Sequence, residues 1–169
     1  MKIPIFVSCP TSLSRVQEKS RRLILQELQM ADLEPRALGR SDYPTFLPLH
    51  EVLILARHCS GGIILGFEQF QAEVGTWKRW EKKPKQVEVG KPVSFPTPWN
   101  NLEAGILFSL GLPLLVFREE GITGGVFDNG VTDVFVHPIP LPRMSAEKRR
   151  SLRAVFLKWQ ANVRTHYYK

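Results

Sequence analysis

Cysteine is scarce in this chain: Cys9 and Cys59 are the whole supply in 169 residues. Two thiols cannot build a disulfide framework and do not stand at metal-ligand spacing, so reduced thiols and no metal site are expected. Four scattered histidines, at 50, 58, 137 and 166, add no metal pattern; His137 reads as the end of a strand. Long apolar runs are missing too. None approaches the ~20 residues of a membrane span, and the apolar part of "MKIPIFVSCP" is too short for a secretory signal. An intracellular, cytoplasmic chain without membrane contact is the resulting expectation. Internal repeats and low-complexity tracts are also absent, which argues against a solenoid or a biased, unstructured chain.

What the chain does have is an ordinary globular composition, 43% hydrophobic and 23% charged, on a length that fits one domain spanning 1–169. The formal net charge of +7 is unevenly placed. From 143 to 169 there are eight Lys or Arg against Glu147 alone, while 1–142 holds 15 basic and 15 acidic side chains. The excess belongs to one terminal segment, predicted as a helix over 145–166 with an apolar stripe of Leu152, Val155, Phe156, Trp159 and Val163. Its charges read either as a solvated face or as a contact surface for a polyanion or a protein.

Strand-like and helix-like patterns alternate along the rest. "IPIFVS" (3–8) reads as a buried strand ending at Pro10. The following stretch has Leu13, Val16, Leu23 and Leu28 near helical spacing, with Ser14 and Gln17 resembling a capping box. "LEPRAL" is a weak second strand, "LPLHEVLILARHC" a second helix and "GGIILGF" a third strand. Residues 68–96 form a long, polar, lysine-rich segment broken by Gly and Pro, which predicts a long loop. Pro98 suits the first turn of a helix over "NLEAGILFSLG", which Gly111 stops. "LPLLVF" and "VTDVFVH" are strands four and five, separated by the glycine-rich "REEGITGGVFDNG". Alternation of this kind calls for parallel pairing, because each crossover needs a helix. The economical architecture is an α/β, doubly wound, five-stranded, mostly parallel sheet in three layers, of the flavodoxin-like kind.

In such sheets ligands bind beyond the carboxyl ends of the strands. The pieces expected to converge there are Ser8 to Thr11, Gly66 onward, the helix beginning at Trp99, and Arg118 to Gly125, with Asp42 and Arg40 in the loop after strand two at the same sheet end. Glu103 lies about one turn into its helix, where its carboxylate either points into that crevice or merely answers the helix dipole. Ser8 is placed to meet a ribose or phosphate oxygen. Cys9 beside it reads as a small buried hydrophobe rather than a nucleophile. Gly121 and its neighbours either offer backbone N–H groups to a phosphate or form a plain turn.

"TPWNNLEAG" resembles two branches of one related fold, the nucleoside 2-deoxyribosyltransferases and the Toll/interleukin-1 receptor (TIR) domains. The transferase helix reads Glu-x-Gly, then Gly-x-Pro and a strand, and Glu103-Ala104-Gly105 … Gly111-Leu112-Pro113-Leu114 is similar to it. In TIR domains that cleave nicotinamide adenine dinucleotide (NAD), the glutamate follows a tryptophan by four positions after a small hydroxyl residue. Thr97-Pro98-Trp99-Asn100-Asn101-Leu102-Glu103 resembles that form. Ser8 looks like the serine ending the first TIR strand, and Pro10 like the transferase's strand-to-loop proline. The transferases also carry an aspartate opening strand three and another before the glutamate. Here those places hold Ser60 or Gly61 and Pro98 to Asn101.

Both resemblances imply cleavage of an N-glycosidic bond in a nucleoside or nucleotide, by hydrolysis or transfer. Glu103 would act as nucleophile or cation stabiliser. Trp99 would stack on a base or nicotinamide, and Asn100 and Asn101 would bond ribose hydroxyls or orient the carboxylate. No cofactor is implied, NAD entering only as a substrate. The TIR branch further implies a homo-oligomer, and with it the alternative of a non-catalytic module that binds a nucleotide or a protein partner.

Overall fold

A computed structural model describes residues 2–43 and 45–169 of the chain, leaving Met1 and Pro44 outside the account. Its centre is a five-stranded, all-parallel sheet. Strand β1 is Ile3–Ser8, β2 Leu33–Arg36 and β3 Gly62–Gly66; β8 is Leu114–Arg118 and β9 Val136–Pro138. Their order in the sheet is β2-β1-β3-β8-β9, the flavodoxin-like order, in which the winding reverses between β1 and β3. Four helices cover the two faces: α1 Arg15–Met30, α2 Pro48–Arg57, α3 Pro98–Ser109 and α4 Ala146–Tyr167.

Side-chain alternation along the strands assigns the faces. Ile3, Ile5 and Val7 of β1, Ile63 and Leu65 of β3, and Leu115 and Phe117 of β8 point to one side, where Ile24 and Leu28 of α1 and Phe156, Trp159 and Val163 of α4 meet them. Phe6, Ile64, Leu114 and Val116 point to the other, against Val52, Leu55 and Ala56 of α2 and Ala104 and Leu107 of α3. The even positions of β1 therefore run toward α3, which puts Ser8 under that helix. The α4 stripe expected from the sequence is the buried one, and the Trp159 indole N–H is satisfied by the Pro113 carbonyl at 3.0 Å.

Helix ends follow local chemistry. Ser14 and Gln17 form the capping box that opens α1. Because Ser14 is the cap, Leu13 lies outside the helix, and the stripe facing the sheet is Ser20, Ile24 and Leu28. Val16 is thereby turned outward, 57% exposed, contrary to the spacing read from the sequence. Gly111 ends α3 with φ of +68°, a left-handed conformation that glycine adopts without penalty.

Two stretches differ from their predicted form. Residues 68–96 are a β-ribbon arm rather than a structureless loop. At its base β4 (Phe70–Ala72) pairs antiparallel with β7 (Val93–Phe95); farther out β5 (Thr76–Trp77) pairs with β6 (Lys85–Gln86). Short strands separated by Gly75, Pro84 and Gly90 give too little alternation for a pattern search to register. The last sheet strand is also shorter than "VTDVFVH", covering only the upper half of β8 from Val116↔Val136 to Arg118↔Pro138. The connection from β8 to β9 has a single 3₁₀ turn, Gly125–Phe127, where the earlier crossovers have helices. Without a helix to carry the chain back along the sheet, it rejoins partway up, leaving Phe135 83% exposed. Among the described residues no helix is long and apolar enough to cross a membrane.

Gly66 shows how tightly the sheet end is packed. A Cβ there would lie 2.4 Å from Cε1 of Phe127, a ring with no solvent exposure. Gly66→Ala should lower stability by about 1–3 kcal/mol through overpacking, read as a lower urea midpoint. An unchanged midpoint would mean that Phe127 does not pack on Gly66.

Candidate active site

At the point where the winding reverses, α3 is bolted to the ends of β1 and β3. Thr97 caps the helix, its Oγ1 accepting from the Asn100 backbone N–H at 3.3 Å. This fixes Asn100 so that its side-chain amide points down into the sheet, 1% exposed. Asn100 Nδ2 donates to Ser8 Oγ at 2.8 Å and to the Leu65 carbonyl at 3.3 Å, one bond to each of the strands flanking the reversal. A hydroxyl that accepts one bond still has its own proton to give. The Ser8 hydroxyl faces Glu103, three residues beyond Asn100 on the same face of α3, and acts to lower its pKa.

Glu103 is 8% exposed. Burial raises its pKa from 4.5 to about 7, with the Ser8 hydrogen bond acting in the opposite direction. Among the described residues no cation contributes. The helix dipole does not account for this residue. With Thr97 as cap and Pro98 in the first turn, Glu103 falls in the second turn, and the dipole effect fades within the first. Glu103 is held against its own solvation preference.

The carboxyl opens onto a cleft of about 350 Å³, within the ~300–1,000 Å³ of small-molecule sites. One wall is the loop after β1, Cys9 to Ser12; another is Leu38 and Gly39 after β2; Thr97, Trp99 and Asn100 form the third, and Gln69 reaches in from the foot of the arm. Trp99 keeps 42% of its surface exposed, leaving a ring face for a planar ligand. Burial pushes the Cys9 thiol up to about 12, and its Sγ donates to the Pro10 carbonyl at 3.5 Å, so it is a neutral thiol. Arg40 braces the wall from behind, donating to the Pro10 carbonyl at 2.8 Å and the Thr11 carbonyl at 3.1 Å. The other concavities, of about 440 and 250 Å³ between α1 and α4 and about 380 Å³ beside β9, have no buried acid among the described residues.

Of the residues singled out from the sequence, the structure brings together Cys9, Pro10, Trp99, Asn100 and Glu103, with Ser8 bonded beneath them. The others stand outside the cleft lining and hold the scaffold. Asp42 pairs with Arg36, whose guanidinium keeps its carboxyl below the usual range. Gly66 lies under Phe127. Asn101 Oδ1 accepts from the Val126 N–H at 2.9 Å. Arg118 donates to the carbonyls of Ile122 and Phe127 at 3.2 and 2.7 Å. Gly121, with φ of +86°, turns the chain beside Ser94. The glycine-rich loop thus packs on the far side of α3 and the arm's base instead of joining the cleft. Sequence reading missed Leu38, Gly39 and Gln69. Each sits just after a strand end, the one signal that marks it, but nothing in its residue type is distinctive.

Comparison with protein-family models, curated proteins and solved structures yields no match.

The raised carboxyl pKa has a stability consequence of definite sign. Between pH 4.5 and about 7 the folded state binds a proton that the unfolded state has released, so stability falls as pH rises through that window. The full span is worth roughly 3 kcal/mol. Glu103→Gln does not titrate. The variant should match the wild type near pH 4 and exceed it by up to about 3 kcal/mol at pH 8, measured by urea denaturation at each pH. A gap that does not grow with pH would show that the carboxyl is not desolvated.

Proposed function

We propose that this protein cleaves the N-glycosidic bond of a nucleoside or nucleotide, with the Glu103 carboxylate stabilising or trapping the sugar cation. The observation that carries the reading is a buried carboxyl without a cationic partner, on the floor of a nucleotide-sized cleft at the reversal point of a parallel sheet. A carboxylate lacking a counter-charge is complementary to a centre that becomes positive only during reaction. The low-dielectric setting that makes it costly to ionise also strengthens that attraction.

The cleft favours one substrate class within this reading. Among the described residues its lining contains no second carboxyl and no histidine to protonate a leaving base, and the Cys9 thiol is far too weak an acid. A neutral purine or pyrimidine leaving group needs such a proton. A nicotinamidium ring does not, since the electron pair of the breaking C–N bond neutralises its nitrogen. NAD therefore suits the site better than a deoxynucleoside, with the nicotinamide against Trp99. Water or another acceptor then bonds to the anomeric carbon, releasing the Glu103 carboxylate where it has trapped the sugar. The acceptor's proton passes to Glu103, whose pKa of about 7 suits a base working near neutrality.

The test is incubation with NAD and with a panel of deoxynucleosides, following free base by chromatography. Nicotinamide release is expected, with kcat/KM rising with pH to a plateau above about 7, because the ionised carboxylate is the active form. Glu103→Gln should reduce it by ~10²-fold or more while the protein stays folded. Turnover unchanged in Glu103→Gln would remove Glu103 from the reaction. Binding of NAD with no base released from any substrate would leave a non-catalytic nucleotide-binding module.

A further inference from the structure

The ribbon arm over 68–96 has a surface that neither the cleft nor the core explains. Large rings are usually buried, yet Phe70 is 63% exposed, Trp77 45% and Trp80 81%. They are not scattered. Phe70 lies against Phe95 at 6.3 Å between ring centroids, and Phe95 against Trp77 at 5.9 Å. The antiparallel pairings Phe70↔Phe95 and Trp77↔Lys85 hold this row in place. Trp80 follows at the far turn.

Cations are interleaved with the rings. Arg79, Lys82, Lys83 and Lys85 are all exposed. Among the described residues none of the four enters a salt bridge; the arm's two pairs, Lys78 with Glu81 and Lys91 with Glu88, leave them out. A row of exposed rings offers stacking faces that any base can use, and cations beside it answer a phosphodiester backbone. The exposed aliphatics of the ribbon, Val74 and Val89, stand apart in sequence at its two edges, whereas Trp77 and Trp80 lie three residues apart among the cations.

From this juxtaposition we infer that the arm is a docking surface for single-stranded nucleic acid, with bases stacked on Trp77 and Trp80 and phosphates met by Arg79, Lys82, Lys83 and Lys85. The inference does not depend on the reading of Glu103, and its test needs no turnover.

The full chain is titrated with a fluorescein-labelled oligothymidylate of about 15 nucleotides, long enough for one such surface, and anisotropy is followed at several salt concentrations. Binding is expected with a log–log salt slope near −3, from about −0.7 per phosphate neutralised by four cations. Trp80→Ala changes an exposed side chain and leaves the core untouched. It should weaken binding by about tenfold, the order of one lost base stack. Lys83→Ala should flatten the slope by about 0.7. Several results would overturn the inference. One is no binding at low salt, or affinity unchanged in Trp80→Ala. Another is binding lost on reversing Lys148, Arg149 and Arg150 of α4 but kept in Trp80→Ala. The last is that Trp80 is needed only for anionic phospholipid vesicles or for self-association.

Discussion

Burial of the Glu103 carboxyl without a counter-charge is the constraint on which the rest of this structure turns. A desolvated carboxyl disfavours its own ionisation, so the chain must impose the position through stronger bonds around it. It does so with a short relay. Thr97 caps α3, the cap fixes Asn100, Asn100 bonds Ser8 and the Leu65 carbonyl, and Ser8 faces Glu103. Each partner is also a structural element: a helix start, an anchor of helix to sheet, and the end of the first strand. Losing the Asn100 amide would leave the buried Ser8 oxygen without its donor and loosen α3 from both strands at once.

The sheet topology makes this relay geometrically available. Reversal of winding between β1 and β3 opens a crevice at their carboxyl ends, and the helix entering from the arm starts over it. Glycine on the β3 face is what allows such close approach. Beneath Gly62 a Cβ would meet Leu107 of α3 at 2.7 Å, and at Gly66 it would meet the Phe127 ring. Bare backbone at both ends of β3 lets α3 and the 3₁₀ turn settle onto the sheet. Arg118 and Asn101 then secure that turn by bonds to its backbone. These two polar residues have the types found in binding sites, yet their bonds serve the scaffold beside the cleft.

Much of this was legible in the sequence, for identifiable reasons. The strands at 3–8, 62–66 and 114–118 are fully apolar or nearly so, the helices carry local start and stop signals at Ser14, Thr97, Pro98 and Gly111, and their alternation implies a parallel sheet. Cys9, Pro10, Trp99, Asn100 and Glu103 were readable as a set because they flank the end of β1 and open α3, which the topology places together. The misplaced candidates are those whose partners are distant in sequence. Asp42 is claimed by Arg36, Asn101 by Val126 and Arg118 by Ile122 and Phe127, and no local pattern announces such bonds. The arm was read as a loop because its strands are two or three residues long, below the length at which alternation can be recognised.

The central claim is that Glu103 is a desolvated carboxyl held at the floor of the cleft by Ser8 and Asn100. Its most direct test is an NMR pH titration of the side-chain carboxyl carbons in ¹³C-glutamate-labelled protein, with Glu103→Gln used to assign the resonance. A midpoint near 7, well above the ordinary glutamate value of about 4.3, is predicted. A resonance titrating at the ordinary value would contradict it, since a carboxyl that ionises so readily is solvated and is not confined in this way.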